Sequence, residues 1–335
     1  MAKDEVYVEA DGEPVRVSSP GKVMFPEQGW TKLDVVEHYL RCGPGILNAV
    51  RGRPCMLKRW TKGVGEPPFY QKRAPKDARE TTPIRFPAAR PGRMAVAREL
   101  RDVVWMAQLN CIDIHPWPVT TDDLDHPNEL RIDLDPSEGS TFDEAREVAA
   151  VCRELLEEHG LTGWPKTSGS RGIHIYARIE PRWEFDDVRR AAVAFAREVE
   201  RRAPGLATTS WWKEERSGVF LDYNQNARDK TIASAYSVRE TGRVSAPFQW
   251  DELQTIDPLA LDLRGFAERW DEVGDLTAGM DDAPGRLDGL LALADADDER
   301  GLPDLPWPPH YRKQPNEPPR VAPSRRRKPK PDEGE

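Results

Sequence analysis

The sequence predicts an α+β fold, α/β mixed, with a central, largely antiparallel sheet flanked by helices. Three observations predict it. Helical and strand-like patterns alternate along the middle of the chain instead of forming separate blocks. The strand segments are short, apolar and interrupted by single acids. The gap from Asp222 to Ile232 is hairpin-sized, too short for the crossover that a parallel neighbour needs, so a doubly wound sheet is not expected.

The first strand is Leu130–Leu134. Thr141-Phe-Asp-Glu144 then has the form of a capping box, and Val148, Val151, Cys152, Leu155 and Leu156 follow at helical spacing until Gly160. Ile173–Ile179 reads as the next strand. A second helix is expected from about Asp186 to Arg202, stopped by Pro204 and Gly205. Val219–Tyr223 and Thr231–Val238 complete the strands. Residues 1–300 form one domain on this reading. From Gly301 the Pro-rich, basic stretch 301–335 cannot bury a core and is expected to be a disordered tail. Its cluster Ser324–Lys330 is either an auxiliary phosphate-binding element or a solubilising terminus.

Composition sets the class. The chain has 335 residues, 38% hydrophobic and 32% charged, as a water-soluble globular protein would. No apolar run is long enough to cross a bilayer, and MAKDEVYVEADG lacks the apolar core of a secretory signal. The cysteines Cys42, Cys55, Cys111 and Cys152 show no CxxC spacing, against a zinc site or a disulfide framework and in favour of a reducing cytoplasm. Net charge is −9, but Arg16–Arg101 is basic while Asp271–Glu299 is acidic. A local basic face suffices for a phosphate backbone.

RIDLDP, Arg131 to Pro136, is the sharpest feature. Residues two apart in a strand share a face, so Asp133 and Asp135 point together while Ile132 and Leu134 point into a core. Paired carboxylates are costly without a cation between them and suit a hard divalent ion that also holds substrate phosphates. VFLDY adds Asp222, the third acid of a two-metal set. The rival reading of the pair is a solvated acidic edge strand, and of Asp222 alone a salt-bridged strand residue.

Between these strands lies KTSGSRGIHIY. Ser168, Gly169, Ser170 and Gly172 form a small-residue loop able to offer N–H groups to phosphate. Lys166 and Arg171 add charge, and Arg171 can bind phosphate bidentately. His174 faces away from Ile173 and Ile175, with Tyr176. Downstream, Asn224, Gln225, Asn226, Arg228, Lys230 and Arg239 form a dense run of donors suited to a triphosphate or a sugar.

Together, DLDP, KTSGSRGIHIY and FLDYNQN…TIASAYSVR resemble the polymerase domain of bacterial ligase D, a branch of the archaeo-eukaryotic primase superfamily. The resemblance covers Pro20 to Leu253, through SPGKVMFP, TKLDVVEHY, RPCMLKRW, QLNCIDIHPW and VSAPFQWDEL. It implies a primase-polymerase fold and a nucleotidyltransferase that extends a DNA primer on a template. The residues implied are Asp133, Asp135 and Asp222 for catalysis and two ions, Mn²⁺ or Mg²⁺. Ser168, Ser170, Arg171, His174, Gln225 and Arg239 are implied for the incoming nucleoside triphosphate. At Arg171 the family usually has Lys. Lys22 and Lys32 are similar to paired lysines that hold a downstream 5′-phosphate, and Phe69 and Tyr70 lie where an aromatic ring stacks on template. By spacing alone those lysines are ordinary surface residues; Asn110, Asp113 and His115 read as fold supports, while the resemblance implies a place near the nucleotide for His115. The implied substrates are NTP or dNTP and DNA with gaps, overhangs or double-strand breaks, in non-homologous end joining or other repair. Ribonucleotides and Mn²⁺ would be favoured, with Ku and a separate ATP-dependent ligase as partners, in the cytoplasm at the nucleoid and not at a membrane. No segment resembles a ligase KxDG motif, so a stand-alone polymerase is expected. A metal-dependent nuclease and a non-catalytic module that bridges DNA ends are the rival readings.

Overall fold

A computed structural model describes residues 4–87 and 89–311. The hairpin β1 (Glu5–Ala10) and β2 (Glu13–Ser18) leads into the ribbon β3 (Val23–Phe25) and β4 (Trp30–Thr31). Two helices follow, α1 (Lys32–Arg41) and α2 (Gly43–Val50). Next come β5 (Pro54–Arg59), β6 (Phe69–Gln71), β7 (Thr81–Ile84), β8 (Gly92–Val96), α3 (Leu100–Gln108) and β9 (Cys111–Pro116). In this first sheet β5 pairs antiparallel with β9, β6 and β8, and β7 with β8.

The second sheet takes β10 (Glu129–Pro136), β11 (Trp164–Thr167), β12 (Ile173–Arg178), β13 (Ala207–Thr208) and β14 (Val219–Leu221) in the order β11-β12-β10-β14-β13. Every pair in it is antiparallel except β13 with β14. α4 (Phe142–Glu158) and α5 (Phe185–Arg202) lie between its strands in sequence, and α6 (Leu263–Val273) and α7 (Asp288–Glu299) close the described chain. The architecture is α+β with antiparallel-dominated sheets, as expected. Ile132, Leu134, Ile173, Ile175, Leu155 and Phe195 belong to one core shared by the β10 sheet with α4 and α5. All four cysteines are free and buried. No described helix is long and apolar enough to cross a membrane.

The Thr141 capping box forms as expected: Thr141 Oγ1 accepts from Glu144 N at 3.2 Å while Glu144 reaches back to Thr141 N. The acidic run does not face solvent alone. Its α7 acids Asp295 and Asp298 pair with Arg190, and Asp297 lies 3.3 Å from Arg197, both arginines on α5.

Two expectations are corrected. Thr231–Val238 is not a strand. Tyr236 adopts φ +66°, which interrupts extended backbone, and Ser237 N turns back to Ser234 O at 3.2 Å, leaving a single bridge between Val238 and Val244. The Asp222–Ile232 gap therefore closes no hairpin. Residues 301–311, the start of the expected tail, also lie against the body, with Trp307 buried among Arg189 and Asp304. The Ser324–Lys330 cluster lies outside the described residues.

Candidate active site

β10 positions the site. Leu134 pairs with Ile173 of β12 on one side and Leu221 of β14 on the other, so the acids around it are flanked by both neighbours. Asp133 stands across from His174, and the end of β14 brings Asp222 alongside, its N donating to Asp133 O at 3.0 Å. Asp222 then caps a short 3₁₀ turn, accepting from Asn224 N at 3.0 Å. That turn returns Gln225 to the carboxylates. Its Nε2 donates to Asp133 Oδ2 at 3.0 Å and to Asp222 Oδ2 at 3.2 Å, so one amide bridges both acids. Asp135, opposite Phe220, is the exposed member of the three.

The three acids crowd one another, and Lys166, Lys230 and Arg216 compensate the charge in part. Burial, then Asp222 and Asp135, push the Asp133 carboxyl up to about 7, and burial raises Asp222 as well. Among the described residues no three His, Cys, Asp or Glu side chains form a metal cage by themselves. A phosphoryl-transfer Mg²⁺ does not need one, because it binds one or two carboxylates and completes its shell with substrate phosphates and water. Two half-buried, amide-bridged carboxylates with raised proton affinity and a third beside them fit such an ion.

Behind Asp133 the structure builds a cationic support. His174 Nε2 lies 3.4 Å from Asp133 Oδ1. Its Nδ1 is 2.6 Å from Lys166 Nζ, which also donates to Ser245 Oγ at 2.6 Å and Ala233 O at 2.9 Å. With Lys166 as an ammonium donating in these three directions, the imidazole proton would sit on Nε2, toward the carboxylate. Burial, then Lys166, hold His174 well below the usual histidine range, so it is neutral at pH 7; burial, then Arg239, likewise lower Lys166. Lys166, expected to face phosphate, is turned inward instead.

The small-residue loop holds its own shape. Ser168 Oγ accepts from Ser170 N at 3.1 Å and Gly172 N at 3.0 Å. Gly172 is required sterically, since a Cβ there would lie 2.2 Å from Leu134 O. Ser170 and Arg171 stand at the exposed tip. Arg239 pins the other end, its Nε donating to Asp113 Oδ2 at 3.0 Å and its Nη1 to Ser168 O. Burial alone would raise the Asp113 carboxyl; His115, Arg239 and Lys58 outweigh it and hold it well below the usual range. His115 Nε2 is 3.0 Å from Asp113 Oδ1 but not aligned for a hydrogen bond.

Part of the donor-rich run points away. Asn224 and Asn226 are fully buried: Asn226 clasps the Arg131 backbone, donating to its O at 2.7 Å and accepting from its N at 2.8 Å, while Arg228 pairs with Asp125. Asn224 and Asn226 shape the turn, and Arg228 lines a separate cavity with Asp125, Phe185 and Asp186.

A second group lies toward the first sheet. Lys22 donates to Asn110 Oδ1 at 3.1 Å, Lys32 to Ser18 O at 2.6 Å and Arg59 to Leu109 O at 2.8 Å, all neutral acceptors. Burial, then Lys22 and Arg59, lower Lys32 to about 8; burial, then Arg59, lower Lys22. Cations that repel one another and spend donors on carbonyls form a receptive anion site. Arg59 pairs in register with Phe69, and Lys58 with Tyr70, on the strand pair β5–β6. Phe69 and Tyr70 are each 56% exposed, on a short strand.

Sequence reasoning missed Lys58 and Glu240, 2.8 Å apart, and took Asp113 as a fold support where it anchors Arg239. The one available signal was a lysine and two acids set in otherwise apolar or β-rich stretches.

Residues 31–277 match the LigD primase-polymerase domain family. The chain belongs to that family. It is thereby a nucleotidyltransferase that uses nucleoside triphosphate and a divalent cation. Lys32 falls inside the matched span and Lys22 before it. The chain is 32% identical over 280 residues to the multifunctional non-homologous end joining protein LigD of Mycolicibacterium smegmatis, covering 81% of this chain and 37% of that protein. It is 30% identical over 265 residues to the LigD protein of Pseudomonas aeruginosa, covering 77% and 32%. This family member thus spans about a third of the length of those relatives. Among solved structures, the polymerase domain of Mycobacterium tuberculosis ligase D in complex with DNA superposes with a TM-score of 0.75 at 29% identity, covering 81% of this chain and 99% of that one.

Proposed function

We propose that this LigD-type domain is a template-dependent polymerase that fills short gaps and extends broken DNA ends bearing a downstream 5′-phosphate. The observation that carries the reading is the Asp133–Gln225–Asp222 bridge with His174 behind it. Asp133, Asp135 and Asp222 would hold two ions, Mn²⁺ or Mg²⁺, whose chemistry is to neutralise the triphosphate and make a primer 3′-hydroxyl a better nucleophile. His174, kept neutral and proton-bearing at Nε2, steadies Asp133 without adding a competing charge. The Ser168–Gly172 loop with Arg171 and Arg239 offers donors to the triphosphate on the incoming side. Lys22, Lys32 and Arg59 would bind the 5′-phosphate, and Phe69 and Tyr70 would stack on template bases, which sets the register of the gap.

The reaction is attack of the primer hydroxyl on the α-phosphorus with release of pyrophosphate. A preference for ribonucleotides and Mn²⁺, a role in non-homologous end joining beside Ku and a separate ATP-dependent ligase, and a nucleoid location in the cytoplasm belong to the same proposal and are supported by the family likeness. The donors gathered at Arg239 and the 168–172 loop favour a triphosphate pocket over a hydrolytic one. Calorimetric titration with ATP and Mn²⁺ in the absence of DNA tests this: saturable binding that Arg239→Ala abolishes is expected, and no binding to the native chain would refute the pocket.

A further inference from the structure

The turn that carries Asp222 and Gln225 rests on a segment some eighty residues further along the chain. Asn224, between those two residues, is fully buried and committed in three directions. Its N donates to Asp222 Oδ1 at 3.0 Å, its Oδ1 accepts from Arg189 Nε at 2.8 Å, and its Nδ2 donates to Pro306 O at 2.8 Å. Arg189, on α5, is equally committed to that segment. Its Nη1 lies 3.1 Å from Asp304 Oδ1, its Nη2 donates to Leu305 O at 2.8 Å, and its guanidinium sits 3.9 Å from the Trp307 ring centroid. Trp307 is 6% exposed and donates to Asp304 Oδ2 at 2.6 Å. The whole segment lies past residue 277, where the family match ends.

A 3₁₀ turn has poor hydrogen-bond geometry and few bonds of its own, so what packs beneath it sets its shape. We infer that residues 304–307, clamped by Arg189 and Trp307, are a positioning element of the active site. They fix Asn224, and through it the placement of Asp222 and Gln225 against Asp133. The catalytic carboxylates therefore depend on chain that a domain boundary at residue 300 would cut away. The inference takes from the polymerase reading only what the site does, not where its residues stand.

The test uses the full chain with Trp307→Ala, Trp307→Phe, Asn224→Ala and the double Trp307→Ala/Asn224→Ala. Two readouts are compared: Mn²⁺ binding without DNA or nucleotide, followed by loss of the free-ion paramagnetic resonance signal, and kcat and KM for templated extension. Trp307→Ala is expected to weaken Mn²⁺ affinity and lower kcat by about tenfold each, as for other supports behind metal ligands, with nucleotide KM moving less than about twofold. Trp307→Phe should recover most of both. The double variant should be no worse than Asn224→Ala, because both act through one contact. If Asn224→Ala does not fold, the Trp307 pair decides alone. Native Mn²⁺ affinity and kcat in Trp307→Ala with only a lower melting temperature, or effects that multiply in the double variant, would overturn the inference. Should the native chain bind Mn²⁺, lose it on Trp307→Ala and yet extend no primer, the positioning role stands and the polymerase reading fails.

Discussion

His174 and Asp133 occupy opposite positions on two antiparallel strands, with Nε2 3.4 Å from Oδ1, and a buried lysine 2.6 Å from the far nitrogen orients the ring. The arrangement joins three strands, β11, β12 and β10, into one line ending at a carboxylate. Each link is a backbone register, so the side chains have little freedom to drift.

That line makes the imidazole N–H the element to test. His174→Ala should lower kcat by about 10²-fold, the cost of removing a positioned donor. His174→Gln, which keeps an N–H in reach, should restore part of it. Equal loss in both variants, at unchanged melting temperature, would mean the ring matters for shape and not for its proton.

Lys32 supplies a pH signature. Burial, Lys22 and Arg59 bring its folded value down to about 8, so it is charged below that pH and neutral above it. The preference for a 5′-phosphorylated gap should be full near pH 7 and fade as pH rises through about 8. A charged hydrogen bond contributes roughly 1.5–3 kcal/mol, so Lys32→Ala should cost about tenfold or more in that preference. Binding measured on phosphorylated and unphosphorylated gaps from pH 6.5 to 9 checks it; a flat preference across the range refutes the assignment.

Phe69 and Tyr70 are exposed, so their removal should leave stability alone. Phe69→Ala and Tyr70→Ala should each weaken binding to a template overhang by about 1–3 kcal/mol. Fluorescence anisotropy on overhang and blunt duplexes separates the cases. Equal weakening on both would mean the rings do not touch template.

His38 gives the fold its own acid sensitivity. Buried, with Nε2 2.8 Å from Tyr236 O, it is lowered to about 4, whereas an unfolded histidine titrates near 6.5. The unfolded chain takes the proton first, so this contribution is present above about 6.5 and lost as pH falls toward 4. Between pH 7 and 5 it amounts to about 2 kcal/mol. Urea unfolding at those two pH values should show the slope, and His38→Gln should remove it; a slope unchanged in the variant would locate the effect elsewhere.

Much of the site could be read from local sequence because strands expose their acids at period two. Asp133, Asp135 and Asp222 stand out as charges in apolar runs, and the Thr141 capping box and the α5 stop at Pro204 are written in adjacent residues. What could not be read depends on pairing between distant segments. Lys166 resembles any lysine before a polar loop until β11 pairs with β12 and buries it against His174. Asp113 looks like a fold support until β9 places it beside Arg239, over a hundred residues away. Thr231–Val238 has strand composition, but the positive φ of Tyr236 turns it into a buried irregular segment. Trp307 sits in Pro-rich sequence that suggests disorder, yet Arg189 and Asp304 hold it in place.

The most direct measurement is primer extension across a one-nucleotide gap in Mn²⁺, with and without a downstream 5′-phosphate, using the native chain and Asp133→Ala. Templated addition, stimulated by the phosphate and reduced about 10³-fold by the substitution, is expected. Shortening of the primer, or binding to the phosphorylated gap with no addition by the native chain, would contradict it.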